Sequence, residues 1–420
     1  MKNQVLTFWF FKTCIPKTIY PDTAWTCPVI ISLGINFSYL HSLPKTRKMK
    51  SFLLCLLLLI ALNSSSFSQN RPRELGVPFG ILSTGNLNSI TDVAGVKVAH
   101  LTKIEGESIR TGVTAILPHG GNLFQQKVPA AIFVGNGFGK LAGVTQVQEL
   151  GTLESPIILT NTLSVAAGIA GVVRYSLSQE GNEQVQSVNA VVGETNDGFL
   201  NDIRGMNISP EEVIQTIQNA QSGQVKEGNV GAGTGTVCFG WKGGIGTSSR
   251  KLPESLGGYT VGVLVQTNFG GNLQVAGVSV GEKLGKYPFK EALEKSDGSC
   301  MIVVATDAPI LERNLERLAQ RAMMGLAKTG GIASNGSGDY VIAFSTEEGL
   351  RIPHNQAALS LQKAEFLPND DMTALFLAVI EATEEAIINS LFAAETMKGK
   401  DGRVVEELPV EKVMEWIKEK

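Results

Sequence analysis

An apolar segment begins abruptly at Ser299, where a charged stretch ends, and this junction constrains the fold more than any other feature. Residues 283–298 have the sequence KLGKYPFKEALEKSDG, and residues 299–306 continue as SCMIVVAT. A short apolar run rich in β-branched residues predicts a strand that is covered on both faces. A polar connection exposed to solvent therefore leads directly into the centre of a predicted sheet.

Short strands and helices are predicted on both sides of this strand. The 46 glycines are scattered through 420 residues, which indicates many tight turns and excludes a collagen-like repeat. Strands are predicted at residues 90–98, 112–117, 130–134, 187–193, 260–267 and 340–345. Helices are predicted at residues 164–177, 213–220, 309–328, 370–397 and 410–418. Because no internal repeat or clean linker divides the chain, we expect a mixed, layered α/β domain with its sheets covered by helices.

The N-terminal part contains an unbroken apolar segment, FLLCLLLLIAL, at residues 52–62. Eleven residues are too few to cross a bilayer, but they suit the apolar region of a signal peptide that follows Met49-Lys50. We therefore predict a signal peptide at residues 49–68, export to the periplasm or the cell exterior, and no stable membrane span. Residues 1–48 are predicted to be upstream sequence translated in error. A buried N-terminal helix is the alternative for the apolar segment.

The predicted mature chain is acidic and poor in metal-binding side chains. Residues 1–68 hold seven Lys/Arg and one Asp, so 29 basic and 38 acidic residues remain, which argues against a nucleic-acid or anionic-membrane partner. Cys238 and Cys300 remain, either as one disulfide or as two buried free thiols. His100, His119 and His354 lack the spacing of metal ligands, so we expect no metal site and no cofactor.

Three glycine-containing motifs resemble known active-site sequences. Gly277-Val-Ser279-Val-Gly281 matches the G-x-S-x-G elbow of α/β-hydrolases, but a charged stretch follows it and His354 is the only later histidine. Residues 135–140 (GNGFGK) lack the spacer and the Ser/Thr of a phosphate-binding loop. Residues 231–235 contain no dinucleotide-binding fingerprint. All three are interpreted as turns and packing sites, and Ser279 is kept as the alternative nucleophile.

The tripeptide Asp297-Gly298-Ser299 offers a different chemistry. Cleavage of the bond before Ser299 would create a free α-amino group, whose ordinary pKa of about 7.7–8.0 leaves a useful fraction neutral near pH 7. That amine can act as the base for the adjacent hydroxyl, so no histidine is required. Gly298 adds little steric hindrance to attack by the Ser299 hydroxyl on the preceding carbonyl. Composition alone also fits an ordinary turn before a strand.

Five separated sequence blocks, in order, closely resemble the DmpA family of L-aminopeptidase/D-esterases and β-peptidyl aminopeptidases. The resemblance covers nearly all of residues 75–420. The blocks are NSITDVAGV at 88–96, GETNDG at 193–198, GGIGTSSR at 243–250, DGSCMIVVATDAP at 297–309 and NGSGDY at 335–340. Together they are far more specific than any single motif.

This resemblance implies an αββα four-layer sandwich, similar to N-terminal nucleophile hydrolases but with different connectivity. It also implies that the precursor cuts itself between Gly298 and Ser299. An α subunit of residues 69–298 and a β subunit of residues 299–420 would then form one catalytic domain. The two fragments would stay associated, and the processed αβ units would form a homotetramer.

The family's functional residues carry over to matching positions. Ser299 corresponds to the nucleophile, and Ser337 to a serine that contacts the amine of the nucleophile. Asp339 occupies an acidic position of the same cluster, and Asn268 corresponds to the donor of the oxyanion hole. Glu194 corresponds to an acidic residue that holds the ammonium group of the substrate.

Asn196 departs from the family pattern, because an aromatic residue stands at this position in some relatives. It is still assigned to substrate binding, next to Glu194. The implied function is hydrolysis of N-terminal amino-acyl amide or ester bonds of short peptides through an acyl-enzyme on Ser299. The alternatives are an acyltransferase that resembles ornithine acetyltransferase, which uses threonine instead, and a processed binding protein without activity.

Overall fold

Two β-sheets lie at the middle of the structure, which is a computed structural model. It describes residues 71–420 apart from 289, 291–296 and 355–359. The predicted upstream segment 1–48 and signal peptide 49–68 lie outside the described residues, as do residues 289 and 291–296 of the polar connection.

The first sheet has five strands in the order β1-β2-β6-β7-β4. Strands β6 and β7 are parallel, and the other pairs are antiparallel. The strands are β1 (Lys97–Glu105), β2 (Ile109–Leu117), β4 (Leu141–Ala142), β6 (Ile157–Asn161) and β7 (Val191–Thr195).

The second sheet has seven strands, in the order β10-β11-β14-β15-β3-β16 with β5 paired to β3. Strand β14 runs antiparallel to β11 and parallel to β15. The strands are β3 (Gln126–Gly137), β5 (Thr152–Leu153), β10 (Ile245–Lys251), β11 (Thr260–Asn268), β14 (Asp297–Thr306), β15 (Gly336–Ser345) and β16 (Ile352–Pro353). Three short hairpins complete the β structure: β8 (Val237–Cys238) with β9 (Trp241–Lys242), β12 (Gln274–Val275) with β13 (Val278–Ser279), and β17 (Met397–Lys398) with β18 (Val404–Val405).

Helices cover the outer face of each sheet. Helices α2 and α3 pack on the five-stranded sheet, and α5 and α6 pack on the seven-stranded sheet. The helices are α1 (Val144–Leu150), α2 (Val165–Leu177), α3 (Pro210–Gln218), α4 (Val280–Lys283), α5 (Glu312–Lys328), α6 (Thr373–Phe392) and α7 (Val410–Lys418). The predicted αββα sandwich is therefore confirmed.

Strand β14 separates two hydrophobic cores, because alternate side chains of a strand point to opposite faces. Cys300, Ile302 and Val304 pack into the core beneath the helices. Met301 and Val303 pack into the core between the two sheets. Full burial of each such aliphatic side chain stabilises the fold by roughly 1.5–3 kcal/mol. These contacts hold the strand that contains the Gly298–Ser299 bond near its start.

The prediction of a strand over residues 90–98 is wrong for residues 90–96. Ile90–Asp92 form a single 3₁₀ turn, and the strand starts only at Lys97. The reason is the side chain of Asp92, whose carboxylate accepts the backbone N–H groups of Leu87 and Ser89. This local hydrogen bonding competes with strand pairing.

Candidate active site

Ser299 lies near the start of β14, between the ends of two neighbouring strands. The register places it beside Asn268 of β11 on one side and Gly338 of β15 on the other. Its Oγ donates a hydrogen bond to the carbonyl of Gly298 at 2.5 Å and accepts one from the N–H of Gly338 at 3.3 Å. The hydroxyl therefore contacts the peptide unit that precedes it.

Ser337 and Asp339 form a buried pair on β15, next to Ser299. Residues two apart on a strand share a face, and the Ser337 hydroxyl donates to Asp339 Oδ1 at 2.9 Å. The other oxygen, Oδ2, is buried and has no hydrogen-bond partner among the described residues. Burial raises the pKa of Asp339 to about 6, although hydrogen bonding from the Ser337 hydroxyl and from the backbone of Cys300 opposes the rise. The uncut chain thus holds an incompletely compensated carboxyl group beside the predicted cleavage site.

Asn268 ends β11 with its side-chain amide held in one orientation. Its Oδ1 accepts the backbone N–H of Val237 at 2.9 Å. Its Nδ2 has no hydrogen-bond partner in the described part of the chain, and the residue lines a pocket with Ser299. A fixed amide donor with free hydrogen-bonding capacity next to a nucleophile can stabilise a developing oxyanion.

The hairpin that carries Val237 is anchored by Lys242, a residue that the sequence analysis missed. The Lys242 ammonium is fully buried and donates to three backbone carbonyls at 3.0, 3.0 and 2.6 Å, those of Gly233, Thr236 and Gly243. Burial lowers the pKa of Lys242 to about 7. A lone lysine between glycine-rich segments was the available sequence indication, and nothing in the pattern showed that its side chain points inward.

Glu194 lies on the opposite side of Ser299 from this hairpin. It belongs to β7 and is 3% exposed. Its oxygens accept the N–H of Lys140 at 2.9 Å and the hydroxyl of Thr162. A Cβ at Gly139 would lie 3.2 Å from Gly338 Cα and 3.3 Å from Glu194 Oε1. The absence of a side chain at Gly139 therefore lets the carboxylate approach β15.

A pocket of about 780 Å³ joins these elements. Ser299, Asn268, Glu194 and Asn196 all line it, whereas Ser337 and Asp339 are not part of its lining. Asn196 is exposed, and its Oδ1 accepts the N–H of Gly198. Other lining residues include Phe138, Lys140, Thr162, Phe199, Val237, Phe239, Phe269, Lys286 and Tyr287.

The competing G-x-S-x-G motif around Ser279 has a structural role in the described contacts. Ser279 lies on the β12–β13 hairpin, and its side-chain partners are the amides of Asn272 and Gln274. His354 instead packs edge-on against Phe124, with ring centroids 4.7 Å apart. Ser279 therefore has no general base among its described hydrogen-bond partners.

The two cysteines are free and buried, so the alternative of a disulfide is wrong. Burial raises the pKa of Cys238 to about 12 and that of Cys300 well above its ordinary value. Within the described ranges, no cluster of three or more His, Cys, Asp or Glu side chains could hold a metal ion. None of the helices in the same ranges has both the length and the hydrophobicity to cross a bilayer.

Residues 88–405 match the model of the family described as Peptidase family S58. The chain belongs to this family. It is 42% identical over 361 residues to "Beta-peptidyl aminopeptidase BapA" of Sphingosinicella microcystinivorans, an alignment that covers 81% of this chain and 89% of the relative. The protein of the same name from Sphingosinicella xenopeptidilytica is 38% identical over 381 residues, with coverage of 85% and 93%.

Solved structures have the same fold. A β-aminopeptidase of Burkholderia sp. superposes with a TM-score of 0.76 at 40% identity, covering 83% of this chain and 98% of the other. The L-aminopeptidase D-Ala-esterase/amidase of Ochrobactrum anthropi superposes with a TM-score of 0.76 at 35% identity and the same coverage. That enzyme is a prototype of the serine aminopeptidases and has a new variant of the Ntn hydrolase fold. The predicted DmpA family is thus confirmed, and the S58 member described here is an aminopeptidase.

Proposed function

We propose that this aminopeptidase activates itself by cutting the Gly298–Ser299 bond, and that Ser299 then acts as an N-terminal nucleophile. The observation that carries the proposal is the register across β11, β14 and β15. It aligns a fixed amide donor, a hydroxyl in contact with its own preceding carbonyl, and a buried carboxyl group at one end of the sheet.

Self-cleavage begins when Ser299 Oγ attacks the carbonyl carbon of Gly298. The new C–O bond forms, the C–N bond breaks, and the released nitrogen takes up the proton that Oγ loses and becomes the α-amino group of Ser299. Water then hydrolyses the ester, which leaves a carboxylate on Gly298 and regenerates the hydroxyl. The products are an α fragment that ends at Gly298 and a β fragment that starts at Ser299, with residues 69 and 420 as the outer ends.

Peptide hydrolysis repeats this chemistry on a substrate. The α-amino group of Ser299 takes the proton of Oγ as the hydroxyl attacks, and it returns the proton to the leaving amine. Asn268 Nδ2 donates to the oxyanion, and Ser337 with Asp339 holds the α-amino group in place. Water releases the acyl group and completes the cycle without a cofactor.

Glu194 selects substrates with a free amino terminus, because a buried carboxylate favours an ammonium partner over a neutral one. Asn196, at the edge of the same pocket, contacts the acyl side of the substrate. The names of the two BapA relatives support β-amino acyl groups as the preferred class. Comparing turnover of β-alanyl and L-alanyl p-nitroanilides tests this preference, and faster release from the L-alanyl compound would contradict it.

Intact-mass measurement with N-terminal sequencing tests the central proposal. We expect a new N-terminus Ser-Cys-Met-Ile-Val in the wild type, and an uncut, inactive chain after Ser299→Ala. Ser279→Ala is the matched control and should be cut and active. A single uncut chain with full activity would contradict the proposal and direct attention back to Ser279.

We further propose that the protein is exported after removal of residues 49–68 and assembles as a homotetramer of αβ units. The apolar segment at 52–62 supports export. Fractionation of the native host tests export, and light scattering after size exclusion tests the tetramer. Retention of protein in the cytosol, or a mass of one αβ unit, would contradict the respective statement.

A further inference from the structure

Lys286 lines the active-site pocket, and its ammonium group forms no ion pair with a carboxylate in the described part of the chain. Its Nζ donates to the carbonyl of Gly240 at 2.8 Å and lies 4.8 Å from the centre of the Trp241 ring. An ammonium has three donors, so one carbonyl leaves it incompletely satisfied. Burial lowers the pKa of Lys286, although the charge of Glu406 opposes the decrease.

The position of Lys286 relative to Ser299 follows from a chain of contacts. Gly240 belongs to the hairpin in which the Phe239 N–H donates to Phe269 O at 2.7 Å. Phe269 follows Asn268, which is the neighbour of Ser299 on the β11 side. Lys286 therefore lies on the β11 side of the nucleophile.

Glu194 lies on the other side. Gly139 packs between its carboxylate and Gly338, the neighbour of Ser299 on β15. Two lysines line the pocket: Lys140 follows Gly139 on the Glu194 side, so Lys286 is the cation on the β11 side of Ser299. The pocket volume of about 780 Å³ falls within the range of about 300–1,000 Å³ that is typical of small-ligand sites.

We propose that Lys286 binds the terminal carboxylate of a short peptide whose amino group is held by Glu194 and whose scissile bond lies at Ser299. This inference rests on the proposed function and specifies its substrate class: peptides of a few residues with both termini free. The ammonium–carboxylate contact forms on the leaving-group side, so it discriminates a free acid from an amide.

The test compares a dipeptide with its C-terminal amide, in the alanyl or β-alanyl series that the wild type cleaves. For the wild type we expect kcat/KM to be at least about tenfold higher for the acid, the effect of one hydrogen bond between charged groups. Lys286→Met should bring the ratio of acid to amide close to one, and Lys286→Arg should retain the preference. Lys283→Met is the matched control, because Lys283 also lies over a ring, that of Trp416, but does not line the pocket.

If Lys286 had only a structural role, Lys286→Met would lower kcat/KM for the acid and for the amide and would keep their ratio. That result would overturn the inference. Equal cleavage of acid and amide by the wild type would also overturn it, while the proposed function would stand. A wild type that cleaves neither peptide, or Ser299→Ala that cleaves either, would contradict the proposed function as well.

Discussion

The carboxyl group of Asp339 should make the stability of the uncut chain depend on pH. It is 1% exposed, one of its oxygens has no described partner, and its pKa rises from 3.8 to about 6. A difference of about two pKa units corresponds to about 3 kcal/mol at 1.36 kcal/mol per unit. Because the pKa of Asp339 is higher in the folded chain than in the unfolded chain, protonation of this carboxyl group stabilises the fold. This stabilisation is complete below pH 3.8 and is lost as the pH rises through about 6.

The assay compares Ser299→Ala with Ser299→Ala/Asp339→Asn, both uncut, by urea unfolding across this pH range. Asparagine keeps an acceptor for Ser337 but does not titrate. We expect the free energy of unfolding of the double variant, relative to the single variant, to rise by about 3 kcal/mol between about pH 4 and about pH 7.5. If the difference in the free energy of unfolding between the two variants stays constant with pH, the predicted titration of Asp339 is wrong.

The same substitution in the processed enzyme provides the second half of this test. If the new ammonium of Ser299 reaches Asp339, an opposite charge lowers the pKa of the carboxyl group. The increase in the free energy of unfolding that Asp339→Asn gives at neutral pH should then disappear or change sign. An identical pH dependence before and after cleavage would show that the amine and this carboxylate do not interact.

Three further substitutions probe separate features. Asn268→Asp keeps the acceptor for the Val237 N–H but removes the amide donor, so kcat per processed molecule should fall by about 10²–10³; near-normal kcat would exclude an oxyanion role. Glu194→Gln should lower kcat/KM for substrates with a free amine by about tenfold to a hundredfold, and an equal loss for N-acetylated analogues would argue against ammonium binding. His100 is partly buried, its Nε2 has no described hydrogen-bond partner, and its pKa is lowered from 6.5 to about 4, chiefly by burial. The charged imidazole is favoured in the unfolded chain, so the free energy of unfolding should fall by about 3 kcal/mol as the pH drops from 6.5 to about 4. His100→Gln should remove this loss. Thermal unfolding at several pH values measures the pH dependence of both proteins.

Local sequence was sufficient to predict a helix or strand where one physical effect dominated. The apolar run after Ser299 forms the central strand because its side chains must be covered on both faces, and helix α3 begins at the capping box that Ser209 and Glu212 form. The error at residues 90–98 arose where the carboxylate of Asp92 competes with strand pairing. Such competition depends on the path of the backbone and is not visible in hydropathy.

Predicting the geometry of the active site required the tertiary structure. Asn268, Ser299 and Ser337 lie far apart in the chain, and only the order of β11, β14 and β15 brings them together. The orientation of the Asn268 amide depends on the N–H of Val237, and the Val237 hairpin depends on the buried ammonium of Lys242. The amino-acid sequence alone was enough to identify the family, the strand that contains Ser299 and the residue types of the candidate site. Tertiary structure decided the direction of each donor and the unpaired state of Asp339 Oδ2, because both depend on contacts between segments distant in the chain.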